Sequence, residues 1–384
     1  MRAGAAGGAG FLCRSGECIG RVERERLSRG TERNVGAAAC KERAADLFFR
    51  KFTPQFEPCF ARRCGTARLF LFTEKQDTGY MFTPISTFEA MTAHLRGLNR
   101  RFRVAVVCGG DACTLSAVRR AVAEGFAEAI FVGGDGGGNL SAAPIPEDES
   151  HASFVPADSP EDAAGKAVGM VREGKADVLM KGLIHTDTLL RAVLNKKWGI
   201  LRQGQVLTHI AAAELPAYDK LLFFSDPAVI PYPTQEQRAA QVAYMARLAH
   251  ACGIEEPRIA LLHCAETVSE KFPHTLGYGD ICARAARGEW GRLRVDGPLD
   301  LRTACDPVAL RVKGIASDLE GRADGLVFPD IEAANAVYKA LPLFAGARVA
   351  GALQGTDAPV VLSSRGDDAE AKFHSLALAT MSLS

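Results

Sequence analysis

The stretch Asp177-Val-Leu-Met-Lys-Gly-Leu-Ile-His-Thr-Asp-Thr-Leu-Leu-Arg191 decides the fold. Its opening, through Met180, is a short apolar run, as expected of a buried parallel strand. Lys181-Gly182 ends that strand. A polar cluster then opens a helix: Thr186 suits the N-cap, Asp187 favours the first turn, and Leu189, Leu190, Val193 and Leu194 recur at helical spacing. Strand, glycine turn and helix N-terminus in succession point unpaired backbone N–H groups and the positive dipole end at one place, which suits an anion. Thr186, Thr188 and Arg191 add two hydroxyls and a fork-shaped cation on that side. The plain alternative is a βα unit with an ordinary cap.

The same alternation runs outward in both directions. Arg103–Val107 and Ala129–Val132 read as strands, with a helix from Thr114 to Glu124 between them. Ser159-Pro160-Glu161-Asp162 supplies a cap, an N1 proline and an acidic first turn for the helix that precedes Asp177. Farther on, Lys220–Phe224, Arg258–His263, Arg292–Val295, Gly325–Phe328, Arg348–Leu353 and Val360–Leu362 read as strands. Thr234-Gln-Glu-Gln237 makes a capping box for a helix with Val242, Met245, Ala249 and Cys252 on one face. Further helices are expected from Ile331 to Leu341 and, at the end, around Phe373, Leu376, Ala377 and Met381. Strands alternating with helices define an α/β fold with largely parallel sheets.

The chain has 384 residues and a net charge of +1, which argues against a nucleic-acid or membrane-surface partner. That average hides an asymmetry: residues 1–80 hold 15 Lys/Arg against 9 Asp/Glu, a net of +6, and the remainder a net of −5. Residues 1–80 show no sustained period; Arg21–Arg26 reads at most as a solvated helix and Leu69–Phe72 as an isolated strand. We expect that segment to be a non-family N-terminal extension, disordered or a mis-annotated start, with Met81 opening the folded part. No apolar run approaches a membrane span, and Cys13-Arg14 interrupts any secretory core. The 11 cysteines are an odd count without a framework, as expected of free thiols in a reducing cytoplasm. Cys13/Cys18 and Cys59/Cys64 have no histidine nearby to complete a zinc site.

Glycine after strands invites nucleotide readings, and these fail. Gly133–Gly138 puts Asn139 where G-x-G-x-x-G needs its third glycine, and Gly165-Lys166 has no upstream glycine at P-loop spacing. The histidines form no H-E-x-x-H or comparable cluster. His263-Cys264 ends a strand, where adjacent side chains point to opposite faces, so the pair is expected to be structural.

The C-terminal stretch Ala358–Glu370 is a second strand running into a polar helix start. It gathers Ser363, Ser364, Arg365 and several carboxylates at the carboxyl end of a strand, where open α/β sheets bind ligands. Together with Asp177–Arg191 it resembles the phosphate acetyltransferase/phosphate butyryltransferase family, the butyryl type most. The resemblance covers nearly all of the 304 residues from Met81. It is carried by Lys181-Gly-Leu183 with Thr186, Leu207-Thr-His209, Tyr218–Leu222, Pro233–Gln237, Asp296-Gly-Pro-Leu299, Pro329–Glu332 with Asn335 and Tyr338-Lys339, Phe344–Ala347 and Ser363-Ser-Arg365.

That resemblance implies a two-domain, isocitrate dehydrogenase-like fold with residues 81–205 plus 365–384 in domain I and 206–364 in domain II. It implies reversible transfer of a short acyl group, butyryl or acetyl, between coenzyme A and phosphate in the interdomain cleft. No cofactor or metal is required, and a homo-oligomer is expected. A non-catalytic acyl-phosphate or coenzyme A binding subunit is the alternative from another class. Residue by residue, Lys181, Thr186, Thr188, Arg191 and Arg365 would bind phosphate or the acyl-phosphate end, and Ser364 the sulfur or carbonyl oxygen. Glu370 would be the base, because Ala371 stands where acetyl-type members have aspartate; Asp367 and Asp368 are the other carboxylates at hand. Arg302 and Ile230 also depart from the pattern, in place of Asp and Asn.

Overall fold

The computed structural model describes residues 83–133, 150–363 and 366–384. The expectations for residues 1–82 and for Gly134–Asn139 lie outside them. In chain order the elements are α1 (Phe88–Gly97), β1 (Phe102–Val107), α2 (Ala112–Ala123), β2 (Ala127–Gly133), β3 (Ala152–Pro156), α3 (Pro160–Arg172), β4 (Val178–Lys181) and α4 (Thr186–Val193). Then come β5 (Thr208–Glu214), β6 (Leu222–Ser225), α5 (Gln235–Ala251), β7 (Arg258–Leu262), α6 (Tyr278–Ala286), β8 (Arg294–Leu299), α7 (Leu301–Cys305) and α8 (Pro307–Val312). The chain ends with β9 (Gly325–Val327), α9 (Ile331–Ala345), β10 (Arg348–Gln354), β11 (Val360–Val361) and α10 (Ala369–Met381).

All described strands join one sheet in the order β3-β2-β1-β4-β11-β10-β5-β6-β9-β7-β8. The five strands from β3 to β11 are mutually parallel, and so are the four from β6 to β8. Between them β10 and β5 pair antiparallel over their full length, from Arg348↔Glu214 to Gln354↔Thr208. The expected parallel character therefore holds within each half but not across the centre. The caps follow local chemistry. Ser159 and Asp111 cap α3 and α2, and Thr234 with Gln237 closes a capping box on α5.

Alternation along the strands sorts the core. One face carries Val104, Met180, Ala350, Ile210 and Phe223 beneath α1, α2, α5, α6 and α10 in a continuous cluster. The other face splits. Val107, Leu179, Val360 and Leu353 pack with α3 and α4, whereas Ala211, Ala213, Phe224 and Leu326 pack with α7 and α9. The two clusters part over β10, which gives Leu353 to one and Val349 to the other, and this parting is the groove between the half-sheets.

Helix α10 carries the expected apolar residues Phe373, Leu376, Ala377 and Met381, and is buried beyond that one face. Every residue from Lys372 to Met381 is buried, because α1 and α2 cover one side and β10 the other. Phe373 lies between the Arg120 guanidinium, 3.9 Å from its ring centre, and Phe126 at 5.9 Å. Burying each such ring contributes about 2–3 kcal/mol. Lys372 is tolerated there because its Nζ donates to Asp111 (3.0 Å) and to the Thr114 hydroxyl (2.9 Å). Burial raises the Asp111 pKa, but Thr114 and Lys372 outweigh that and hold the carboxyl below its usual range.

His374 stacks on Phe88 at 4.5 Å. Burial, opposed by Glu370 and reinforced by Arg348, lowers its pKa to about 4. The folded ring thus refuses a proton that the unfolded ring accepts near pH 6.5. Its contribution to stability is complete above that pH and is lost as pH falls toward 4, by up to about 1.4 kcal/mol per unit. Urea unfolding of the wild type and of His374→Gln between pH 7 and 4 checks this: the wild-type midpoint should fall more steeply with acidification than the variant's.

Candidate active site

The β4–α4 junction has the geometry that its sequence promises, with one correction. Gly182 N–H donates to Val107 O and Leu183 N–H to Cys108 O, both at 2.8 Å, so the turn runs hard against the end of β1. A Cβ at Gly182 would lie 2.3 Å from the Cys108 carbonyl oxygen, which only glycine avoids. His185, not Thr186, is the N-cap, and it makes no side-chain capping bond. Thr186 is thereby the first helical residue. The N–H groups of Thr186, Asp187 and Thr188 have no hydrogen-bond partner among the described residues. Thr186 and Arg191 are exposed and Thr188 is half-buried. Three N–H donors, two hydroxyls and a guanidinium that makes no ion pair among the described residues lie along one helical turn and a half.

Strand β11 runs parallel beside β4 and reaches this junction from the other side. Lys181 is buried, and its Nζ donates to Gly182 O and Ser363 O at 3.3 Å each. The Ser363 hydroxyl donates back to Lys181 O at 3.3 Å. Two sequence regions 182 residues apart are therefore joined, as the family resemblance implied. Ser364 and Arg365 lie outside the described residues; they follow Ser363 directly in the chain.

The carboxylates after them go to different places. Asp368 caps α10, accepting from Ala371 N–H at 2.8 Å. Glu370 is half-exposed and faces Arg348 at 3.5 Å and His374 at 3.9 Å, on the side of the sheet covered by α1. Asp367 lies near Tyr338: burial first, and then the Asp367 charge, push the phenol's pKa well above its usual value.

Tyr338, on α9, meets the edge of the His209 ring at 6.2 Å. His209 is on the groove face of β5 and lies across Gly351 of β10, where a Cβ would come within 2.2 Å of the imidazole. Complete burial keeps His209 below the ordinary histidine pKa and hence neutral, despite the opposing charge of Asp226. Asp226 accepts from the Thr208 hydroxyl (2.7 Å) and from the N–H groups of His209, Ala228, Val229 and Ile230, fixing the loop after β6. Asn335 Nδ2 donates to Pro227 O at 2.8 Å and ties α9 to that loop. Sequence reasoning quoted His209, Asn335 and Tyr338 within motifs but gave them no role. Histidine two residues into a strand and glycine within another were the available signals.

Among the described residues no group of three or more His, Cys, Asp or Glu is arranged to hold a metal. Of two concavities, one of about 910 Å³ lies between α6 and α8, and one of about 360 Å³ lies at Gln354–Asp357 and the end of α10; neither is lined by Lys181, Thr186, Thr188, Arg191 or Ser363. The grouping of reactive side chains, rather than cavity size, marks the site.

The fold and the β4–α4 junction define an α/β protein that gathers donors of the kind that suit an anion at the end of one half-sheet. Comparison narrows the class: residues 156–380 match the family described as phosphate acetyl/butaryl transferase, and the chain belongs to that family. It is 39% identical over 279 residues to a phosphate butyryltransferase of Clostridium acetobutylicum, covering 73% of this chain and 92% of that protein. To a phosphate acetyltransferase of Thermotoga maritima it is 38% identical over 222 residues, covering 58% and 75%. Among solved structures, a branched-chain phosphotransacylase from Enterococcus faecalis superposes with a TM-score of 0.65 at 33% identity, covering 73% of this chain and 99% of that one.

Gly351→Ala tests the groove floor. The added methyl must displace the buried His209 ring, so unfolding should show a loss of about 1–3 kcal/mol. Gly346→Ala, at the end of α9, would meet no atom within 4 Å and serves as a comparison for the loss of a positive-φ glycine.

Proposed function

We propose that this chain interconverts acyl-CoA plus phosphate with acyl phosphate plus coenzyme A, acting on short acyl groups and on butyryl in preference to acetyl. The observation that carries the reading is the pairing of the N-terminus of α4, with Thr186, Thr188 and Arg191, to the Lys181–Ser363 contact that leads into Ser364-Arg365. In the direction of acyl-CoA synthesis the coenzyme A thiolate attacks the acyl carbonyl. The sulfur–carbon bond forms, the carbon–oxygen bond to phosphate breaks, and phosphate departs with the electron pair. Arginine suits that leaving group because its planar fork binds two oxygens at once. The first-turn N–H groups of α4 would share the developing charge. Ser364 would steady the sulfur or the carbonyl oxygen, and Lys181 would support the phosphate side.

A thiol of ordinary acidity is only slightly ionised at pH 7, so a positioned carboxylate base should matter. Glu370 is the base by resemblance. Asp367 is a second reading, favoured by its place beside Tyr338 at the groove, whereas Glu370 faces Arg348 and His374. We also propose the division into domain I (residues 81–205 plus 365–384) and domain II (206–364), with β11 of domain II added to the edge of the domain I strands.

Phosphate-dependent release of free thiol from butyryl-CoA and then acetyl-CoA tests the activity, and no release from either would overturn it. A higher kcat/KM for acetyl-CoA would overturn the butyryl preference, a difference of about 1–3 kcal/mol per methylene at most. Arg191→Gln should raise KM for phosphate at least about tenfold. Glu370→Gln should lower kcat by about 10²–10⁴-fold. An unchanged kcat there, with that loss in Asp367→Asn, would transfer the role to Asp367.

A further inference from the structure

The end of β7 carries a reactive cluster that the acyl-transfer groove does not use. His263 still donates its N–H to Leu299 O of β8 at 2.8 Å, and Cys264 is the first residue beyond the ladder, where strand alternation no longer holds the two side chains apart. The Cys264 thiol is exposed, and its Sγ lies 3.7 Å from Nε2 of the buried His263. The other nitrogen of that ring, Nδ1, lies 3.2 Å from Nε2 of His274, in the short helical turn Pro273–Gly277. The edge of Phe272 packs on His263 at 4.6 Å. Arg238, Tyr278 and Asp330 surround His274 from α5, α6 and the start of α9. Arg238 is itself buried and anchored by a 3.0 Å bond from Nη2 to Pro329 O.

Burial first, then the charges of Arg238 and His263, lower the His274 pKa, so that ring is neutral near pH 7. In the tautomer in which His274 Nε2 accepts the Nδ1–H of His263, the remaining lone pair of His263 faces the thiol. Nucleophile, base and a group that orients the base are thus in contact, the arrangement from which activated nucleophiles are built.

We propose that Cys264, His263 and His274 form a second nucleophilic centre, an acyl-accepting thiol whose substrate class is the acyl phosphates. His263 Nε2 takes the proton from Sγ, and the sulfur attacks the carbonyl carbon. The sulfur–carbon bond forms, the carbon–oxygen bond to phosphate breaks, and the phosphate leaves with that electron pair and receives the proton from His263. The products are a Cys264 thioester and hydrogen phosphate, with no oxidant or reductant needed. The centre is six strands along from β4, roughly 28–29 Å at ordinary strand spacing, and three strands, roughly 14–15 Å, from β5 at the near side of the groove. It rests on the proposed function only for its natural acyl donor.

The test supplies that donor as a reagent. Full-length protein is treated separately with butyryl phosphate and with iodoacetamide, and each cysteine is followed by peptide mass spectrometry. Cys113, exposed in the first turn of α2 with no histidine contact among the described residues, is the internal reference. Both reagents should modify Cys264 about 10²-fold faster than Cys113. His263→Gln should remove that excess. His274→Ala should reduce it, and His274→Asn, whose amide oxygen can accept the Nδ1–H of His263, should restore most of it. Equal labelling of the two cysteines, or a Cys264 rate indifferent to His263→Gln, overturns the centre. Alkylation without acylation overturns the assignment of acyl phosphate as its substrate. None of these readouts depends on turnover of acyl-CoA, so a failure here stays distinct from a failure of the proposed function.

Discussion

The antiparallel ladder between β5 and β10 joins two half-sheets that, apart from these two strands, are parallel within themselves. Removing it would leave each half with an open edge and a bare apolar face, which neither could cover alone. Because the two halves bring separate helices to one face, the ladder also lies at the bottom of the groove. Gly351 occupies its middle, and the absence of a side chain there makes room for the His209 ring. One small residue thus serves packing and site shape together.

Helix α10 locks the arrangement from the other face. Its buried Lys372 bonds the cap residue of α2, while its neighbours fill the space between α1, α2 and β10. A buried ammonium is costly unless paired, and loss of its partner typically costs about 3–5 kcal/mol. That penalty fixes the register of α10, and through it the position at which the chain leaves Ser363 for the last helix. The candidate catalytic carboxylates are all on this short connection or in the first turn of α10. Their roles are divided by what they touch: Asp368 is committed to the cap, Glu370 faces a cation and a histidine, and Asp367 faces Tyr338.

Two places in this chain join nucleophile or anion chemistry to strand ends. The junction after β4 uses backbone N–H groups, hydroxyls and arginine, which suits a phosphate held without a metal. The end of β7 uses a thiol and two imidazoles, which suits attack on a carbonyl. A phosphate acyltransferase releases or consumes an activated acyl group, so a thiol with its own base on the same protein would be exposed to that electrophile.

Much of this was legible in the sequence. Apolar runs, Ser159, Thr234 and the polar start after Gly182 predicted the elements and their caps, because those signals depend on residues within one turn of each other. Thr186, Thr188 and Arg191 were singled out for the same reason, whereas the role of Lys181 and the link to the C-terminal stretch followed from resemblance. The N-cap fell on His185 rather than Thr186, since the turn is set by Gly182 pressing on Cys108, a contact between distant residues. Burial of α10 on all sides, neutrality of His209 and the contact of Cys264 with His263 were likewise decided only by tertiary structure. Each depends on which elements pack around a residue, and short-range patterns of residue type carry no record of that packing.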